Sequence, residues 1–259
     1  MIEHIAEATS TNDVARSRAA EAPHGWAVRA DAQTEGRGQR GHGWTSPAGG
    51  LYLSVVLKPS VPQRVMGGLP LVCGIGAARA MVRLGVPGVK LKWPNDLVAG
   101  DAKLAGLLVE AGWAAGGVYA VCGIGVNMDA PKVEDPERAA LPPCGIRALL
   151  EGEGAPVPSL DALADAVRAD VVAAVDEWSA QVALAGAAAT PLGRMADELY
   201  DRMAYMGEYV ALIDREGRPY GAGTLSGIDV WGRALVRMDD GRAAEEAFDP
   251  AQVSVRPLR

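Results

Sequence analysis

Histidine and cysteine are scarce in this chain, three of each among 259 residues. Cys73, Cys122 and Cys144 stand at unrelated spacings, and none forms a metal-ligand pair with another cysteine or with His4, His24 or His42. That excludes a disulfide framework and a Cys/His zinc site. A cysteine nucleophile has no accompanying histidine motif, so the cysteines read as small buried hydrophobes in a reducing compartment. Basic residues are not in excess either: 25 Lys and Arg face 32 Asp and Glu, a formal net charge of −7. A uniformly basic nucleic-acid surface is thereby excluded, although a local basic cleft is not. No uninterrupted apolar run reads as long enough to cross a bilayer, and MIEHIAEATST lacks the basic-then-apolar pattern of a signal segment. The expectation is a cytoplasmic protein with neither DNA nor a membrane as partner. There is no P-loop, GxSxG elbow, HExxH or DFG set.

What is present is ordinary globular material, 49% hydrophobic and 22% charged, enough for one large domain and a smaller one. Ser10-Thr11-Asn12-Asp13 reads as capping side chains ahead of a short helix over 14–20. Strands are expected at 26–33, 51–57, 89–93 and 118–127, the last a buried central one, with a hairpin of 96–99 and 103–113 around Gly100-Asp101. Helices are expected at 66–84, at 160–182, and from Pro191 to Met203 with the proline in the first turn. Residues 128–143 read as a surface loop. From Gly207 onward short strands alternate with turn signals, as in a small β-barrel of about five strands. The domains are therefore placed at 1–204 and 205–259.

Chemistry concentrates in three segments. Gly36-Arg37-Gly38-Gln39-Arg40-Gly41-His42-Gly43-Trp44 packs four glycines and two arginines into a loop of nine residues. Its backbone can wrap a ligand, and guanidinium forks match carboxylates and phosphates. Lys92-Trp93-Pro94-Asn95-Asp96, followed by Lys103-Leu104-Ala105-Gly106, crowds two lysines, an amide and a carboxylate around an apolar sheet. Cations beside such a loop suggest an anionic ligand, most economically one with phosphates. Asp96 is open to three roles: a metal ligand, an orienter of an incoming amine, or a solvated turn residue. Gly123-Ile124-Gly125-Val126-Asn127 ends the buried strand; it lacks the third glycine and following helix of a dinucleotide fingerprint. Asn127 could contact a nucleotide or metal-bound water, or cap the strand.

In order and spacing, Ser10–Asn12, Gln33 with the 36–44 loop, Ser46-Pro47 through Leu51–Ser54, Lys92–Asp96, Lys103–Gly106 and Gly123–Asn127 resemble the biotin–protein ligase family. The resemblance implies an α+β fold of the class II synthetase and biotin–lipoate ligase kind: a mixed, largely antiparallel sheet flanked by helices, with a small C-terminal SH3-like β-barrel. It implies a reaction in which the biotin carboxylate attacks the α-phosphate of ATP, with Mg²⁺ assistance. A lysine of a biotin carboxyl carrier protein domain then takes the biotinyl group. Neither step needs an enzyme nucleophile. By the same resemblance Ser10, Thr11, Asn12 and Gln33 line the biotin pocket, and Gly36, Gly106 and Gly123 allow close backbone approach. Arg37 and Lys103 meet the carboxylate and α-phosphate, and Arg40, Trp44, Asn95, Asn127 and Arg256 serve the nucleotide, Asn127 on the metal side. Lys92 and Asp96 lie near the acceptor amine, with Asp96 positioning or deprotonating it. The family loop usually carries arginines where this chain has Gln39 and His42, which implies a looser hold on biotinyl-AMP. The pocket motif begins at Ser10, so no DNA-binding repressor module is expected. A lipoate–protein ligase-like acyltransferase shares the broad fold and stays as the alternative, and monomer and homodimer are both compatible with the chain.

Overall fold

The computed structural model describes residues 1–41, 43–114, 117–132, 141–239 and 245–258, with the side chain of Arg40 also outside the description. Its first sheet is built from β1 (Ile2–Ala8), β2 (Ala27–Gln33), β3 (Leu51–Leu57), β4 (Val89–Lys92), β5 (Asp96–Ala99), β6 (Ala102–Ala114) and β7 (Gly117–Val126). The strands lie in the order β1-β2-β3-β7-β6-β5-β4. β1 runs parallel to β2 and the other pairs are antiparallel, the mixed, largely antiparallel sheet expected.

Alternation along the strands separates two faces. Leu51, Leu53, Val55 and Leu57 of β3 join the large core formed with α2 (Leu69–Arg83) and α4 (Leu160–Ala185). Val56, with Val28 and Val121, faces α1 (Thr11–Arg18) through Ala15 and Ala19. Every residue of β3 is thus buried. α2 and α4 approach closely at Gly76, where a Cβ would stand 2.6 Å from Val171 Cα. α3 (Ile146–Gly152) and α5 (Met195–Arg202) complete the helices. Arg79 of α2 pairs with Glu177 of α4 and Glu198 of α5, and its guanidinium holds the Glu198 carboxyl below the usual carboxylate range.

Several sequence expectations need correction. β1 and α3 are additional elements. α1 begins at Thr11, and although Ser10 is its N-cap, the Ser10 side chain makes no capping bond. α5 starts at Met195, not Pro191; the Pro191 carbonyl instead accepts from the indole of buried Trp178 at 2.7 Å. Residues 63–83 do include an 18-residue window apolar enough for a membrane span, with mean hydropathy 1.6, but 72% of that window is buried inside this fold.

The second sheet comprises β8 (Tyr209–Ile213), β9 (Pro219–Ile228), β10 (Ala234–Met238), β11 (Glu245–Phe248) and β12 (Ser254–Pro257) in the order β11-β10-β9-β8-β12, antiparallel throughout. Its inner residues Val210, Leu212, Val236 and Val255 belong to the same continuous core as the first sheet. The turn between β9 and β10 docks just beyond the end of β4: Trp93 Nε1 donates to Gly232 O at 3.0 Å. That contact fixes β12 relative to the first sheet and so places Arg256.

Candidate functional site

Register brings the polar residues to one face. Tyr52 and Ser54 of β3 lie opposite Gly125 and Gly123 of β7, which lie opposite Gly106 and Leu108 of β6. Gly106 in turn lies opposite Asp96, and Asp96 opposite Lys92. Directly paired residues point to the same side of a sheet, so this row faces the α1 side. Lys103 occupies an odd position on β6, but the register slips by one between Leu97 and Val98. Such a bulge re-aims side chains and turns Lys103 toward Asp96. Its backbone is held by Lys103 N–H to Pro142 O at 2.7 Å and by Cys144 N–H to Lys103 O at 2.9 Å.

Over this face lies a cavity of about 400 Å³, lined among others by Ser10, Thr11, Asn12, Gln33, Arg37, Gln39, Trp44, Lys92, Asn95, Asp96, Lys103, Gly106, Gly123 and Arg256. One end is uncharged and tightly bonded. The Thr11 amide and hydroxyl donate to Gln33 Oε1 at 2.8 and 3.0 Å, and Gln33 Nε2 donates to Ser46 Oγ at 2.9 Å. Ser54 Oγ lies 2.8 Å from Thr11 Oγ1 and 2.7 Å from Asn12 Oδ1. The other end is charged. Among the described residues the lining holds four cations, Arg37, Lys92, Lys103 and Arg256, and one carboxylate, Asp96.

Asp96 and Lys92 are both buried, with Lys92 Nζ 3.3 Å from Asp96 Oδ2 and Lys103 Nζ 2.8 Å from Oδ1. Both carboxylate oxygens of Asp96 are thus approached by an ammonium. Burial alone would raise the Asp96 pKa, but the two ammoniums outweigh it and hold the carboxyl below its usual range. Burial pulls Lys92 below the usual lysine range; Asp96 opposes that shift, while Lys103 and Arg256 add to it. Tyr52, whose hydroxyl donates to Pro47 O at 2.7 Å, is pushed up to about 12 by burial.

The glycine–arginine loop closes as a small hairpin, with Arg37 bridged to Gly43 and Trp44 N–H donating to Gly36 O at 2.8 Å. A Cβ at Gly36 would lie 2.3 Å from Trp44 O, so this glycine lets the loop close; it is not among the residues that line the cavity. Trp44 lies on the facing pair Gly106 and Gly125, where added Cβ atoms would come within 2.9 and 2.5 Å of its ring. Its indole Nε1 is buried without a partner among the described residues, and Lys103 Nζ stands 5.2 Å from the ring centroid. Gly123 lines the cavity, yet the close approach it permits is that of Asn12, whose Oδ1 would be 2.2 Å from a Cβ there.

Other expected residues divide. Asn95 lines the cavity, with its Nδ2 donating to Leu107 O at 3.0 Å. Arg256 and Ser254 reach the cavity from β12. Asn127 lies outside the lining; its Nδ2 donates to Lys103 O at 3.2 Å, so it supports the Lys103 strand end. The Arg40 side chain and His42 lie outside the described residues. No group of three or more His, Cys, Asp or Glu able to hold a metal occurs among the described residues. Asn127, whose side chain is bonded to Lys103 O, is not joined by such a cluster among the described residues. No site role was expected for Ser54, Gly125, Asp13 or Glu110, although the first three stand within the motifs quoted above. The signal for Glu110 was parity, since Gly106, Leu108 and Glu110 alternate along one strand.

Comparison with known proteins gives a consistent picture. Residues 4–127 match the model of the Biotin/lipoate A/B protein ligase family. A biotin–[acetyl-CoA-carboxylase] ligase of Paracoccus denitrificans is 33% identical over 229 residues, covering 85% of this chain and 89% of that protein. The bifunctional ligase/repressor BirA of Escherichia coli is 42% identical over 128 residues, 49% of this chain; the match spans only 40% of that relative's length. A solved biotin protein ligase from Aquifex aeolicus, in complex with biotin and ATP, superposes with a TM-score of 0.75 at 25% identity and covers 99% of each chain.

Proposed function

Given that the chain belongs to the biotin/lipoate ligase family, within its biotin–protein ligases, we propose that it is an ATP-dependent biotin–protein ligase. In the first step the biotin carboxylate attacks the α-phosphate of ATP, forming biotinyl-5′-AMP and expelling pyrophosphate. In the second the amine of a carrier lysine attacks the acyl carbon, forms the amide with loss of a proton, and releases AMP. The acceptor is a biotin carboxyl carrier domain. The observation that carries this reading is a cavity whose uncharged end joins an end with four cations and one carboxylate, in a chain of formal net charge −7.

Each residue has work suited to its surroundings. Thr11, Asn12, Gln33 and Ser54 form an interlocked set of hydroxyls and amides, which suits a ureido ring better than a lipoyl dithiolane. Arg37 and Lys103 sit where negative charge gathers on carboxylate and phosphate oxygens. Arg256 adds a cation from the second sheet. Asp96 is held ionised by its two ammoniums, so it orients the acceptor amine by charge and is a weak proton acceptor. Magnesium would arrive on the nucleotide phosphates, where it typically keeps waters and needs few protein ligands. A cytoplasmic setting, with no repressor role, completes the reading.

The test is incubation with ATP, Mg²⁺ and either biotin or lipoate, detecting the AMP ester and transfer to a carrier lysine. Biotinyl-AMP and a biotinylated carrier are expected. A lipoyl product alone would overturn the proposal in favour of a lipoate ligase.

A further inference from the structure

At the edge of the cavity two carboxylates and two guanidiniums alternate. Arg37 Nη2 lies 2.7 Å from Asp13 Oδ1 and 3.3 Å from Glu110 Oε2. Arg16 closes the ring, with Nη2 at 2.6 Å from Glu110 Oε1 and Nη1 at 3.3 Å from Asp13 Oδ1. Glu110 Oε2 also accepts from Asn12 Nδ2 at 2.7 Å. One carboxylate oxygen therefore joins a pocket amide to the cation of the glycine–arginine loop. We propose that Asp13 and Glu110 are positioning residues for biotin binding, holding Arg37 and Asn12 in place before the ligand arrives.

The physical case begins with the loop. Arg37 is a long side chain on a segment rich in glycine, and its side chain keeps 39% of its exposure. Left alone it would sample many rotamers, and ordering it on binding would weaken affinity. Both ion pairs engage the same amino group, Nη2, so the guanidinium is gripped at one corner while the residue still lines the cavity. Exposed ion pairs are individually weak. Here two carboxylates share two guanidiniums and an amide, and Glu110 is only 28% exposed. The ring carries two positive and two negative charges, so it does not repel an incoming carboxylate. Glu110 reaches it because β6 presents Gly106, Leu108 and Glu110 on the cavity face. Asp13 reaches it from the first turn of α1, whose preceding residues line the pocket.

This inference rests on the proposed biotin ligase function for its kinetic arm only. In Asp13→Asn and Glu110→Gln the expected KM for biotin in AMP-ester formation rises about fivefold and tenfold, while kcat falls by a smaller factor, since Arg37 is loosened but not removed. Asp13→Glu, which keeps the charge, restores most of the loss. A ligand-free arm reads the same positioning directly. Trypsin must seat Arg37 to cut the bond after it, so cleavage there, followed by mass spectrometry, is expected to be several times faster in both neutral variants. Unchanged cleavage and unchanged KM in variants that melt like the parent would overturn the proposal, as would a fall in KM. If the parent forms no AMP ester, the functional reading fails while the cleavage ranking still judges the positioning role.

Discussion

Asp96 sits between two ammoniums that sequence alone had only placed nearby. Removing its charge in Asp96→Asn leaves Lys92 buried with no counter-charge, a change that typically costs about 3–5 kcal/mol. The sign of the pH dependence follows from the depressed carboxyl. The stabilisation is fully present above an unfolded value of about 3.9 and is lost as pH falls through the lower folded value. The melting-temperature gap between parent and Asp96→Asn should therefore be wide at pH 7 and shrink below about pH 4, in melts run from pH 3 to 7. Lys103→Ala should lower the rate of AMP-ester formation about 10²–10³-fold in single-turnover assays, the usual cost of removing one donor from developing charge. Gln39 lines the cavity, so Gln39→Arg should slow biotinyl-AMP dissociation; a charge-assisted contact supports roughly a tenfold effect. An unchanged or faster off-rate would show that the missing arginine does not loosen the site.

At the scale of elements, the two glycine-rich strands explain themselves only once paired. Gly106 and Gly125 face each other across β6 and β7 and leave a flat bed for Trp44. Gly125→Ala should displace the ring, raising KM for ATP about tenfold while shifting the melting temperature by only a few degrees. Gly76 poses the opposite case. An added Cβ would meet the α4 backbone, so Gly76→Ala should lose about 1–3 kcal/mol in denaturant titrations without a specific effect on ligand binding. The strands β3 to β7 were legible because strong β-formers and turn dipeptides delimit them. β1 was not, since its burial is partial and its residues include His4 and two glutamates. α1 was read as starting later because Thr11 and Asn12 look like capping side chains. Tertiary bonds to Gln33, Ser54 and Glu110 claim them instead.

Across the whole molecule, the cationic residues of the cavity were legible as types in spaced motifs. Their convergence was not, because it depends on register, on one bulge and on a second sheet more than 100 residues away. Asp13 read only as a capping side chain and Glu110 only as part of a strand, because their pairing with Arg37 depends on how the loop folds against them. The second sheet shares the core of the first and is pinned by the Trp93 indole. Trp93→Phe should remove that hydrogen bond, cost about 1 kcal/mol, and raise KM for ATP through Arg256. A rise in KM for biotin alone would place the strut elsewhere.

The bed beneath Trp44 also makes this indole an optical gauge. Its Nε1 is buried, its N–H has no partner among the described residues, and a lysine ammonium stands over the ring. Filling the cavity changes all three surroundings at once. The emission of this one tryptophan, isolated as the difference between parent and Trp44→Phe spectra, should report occupancy in real time without an attached dye.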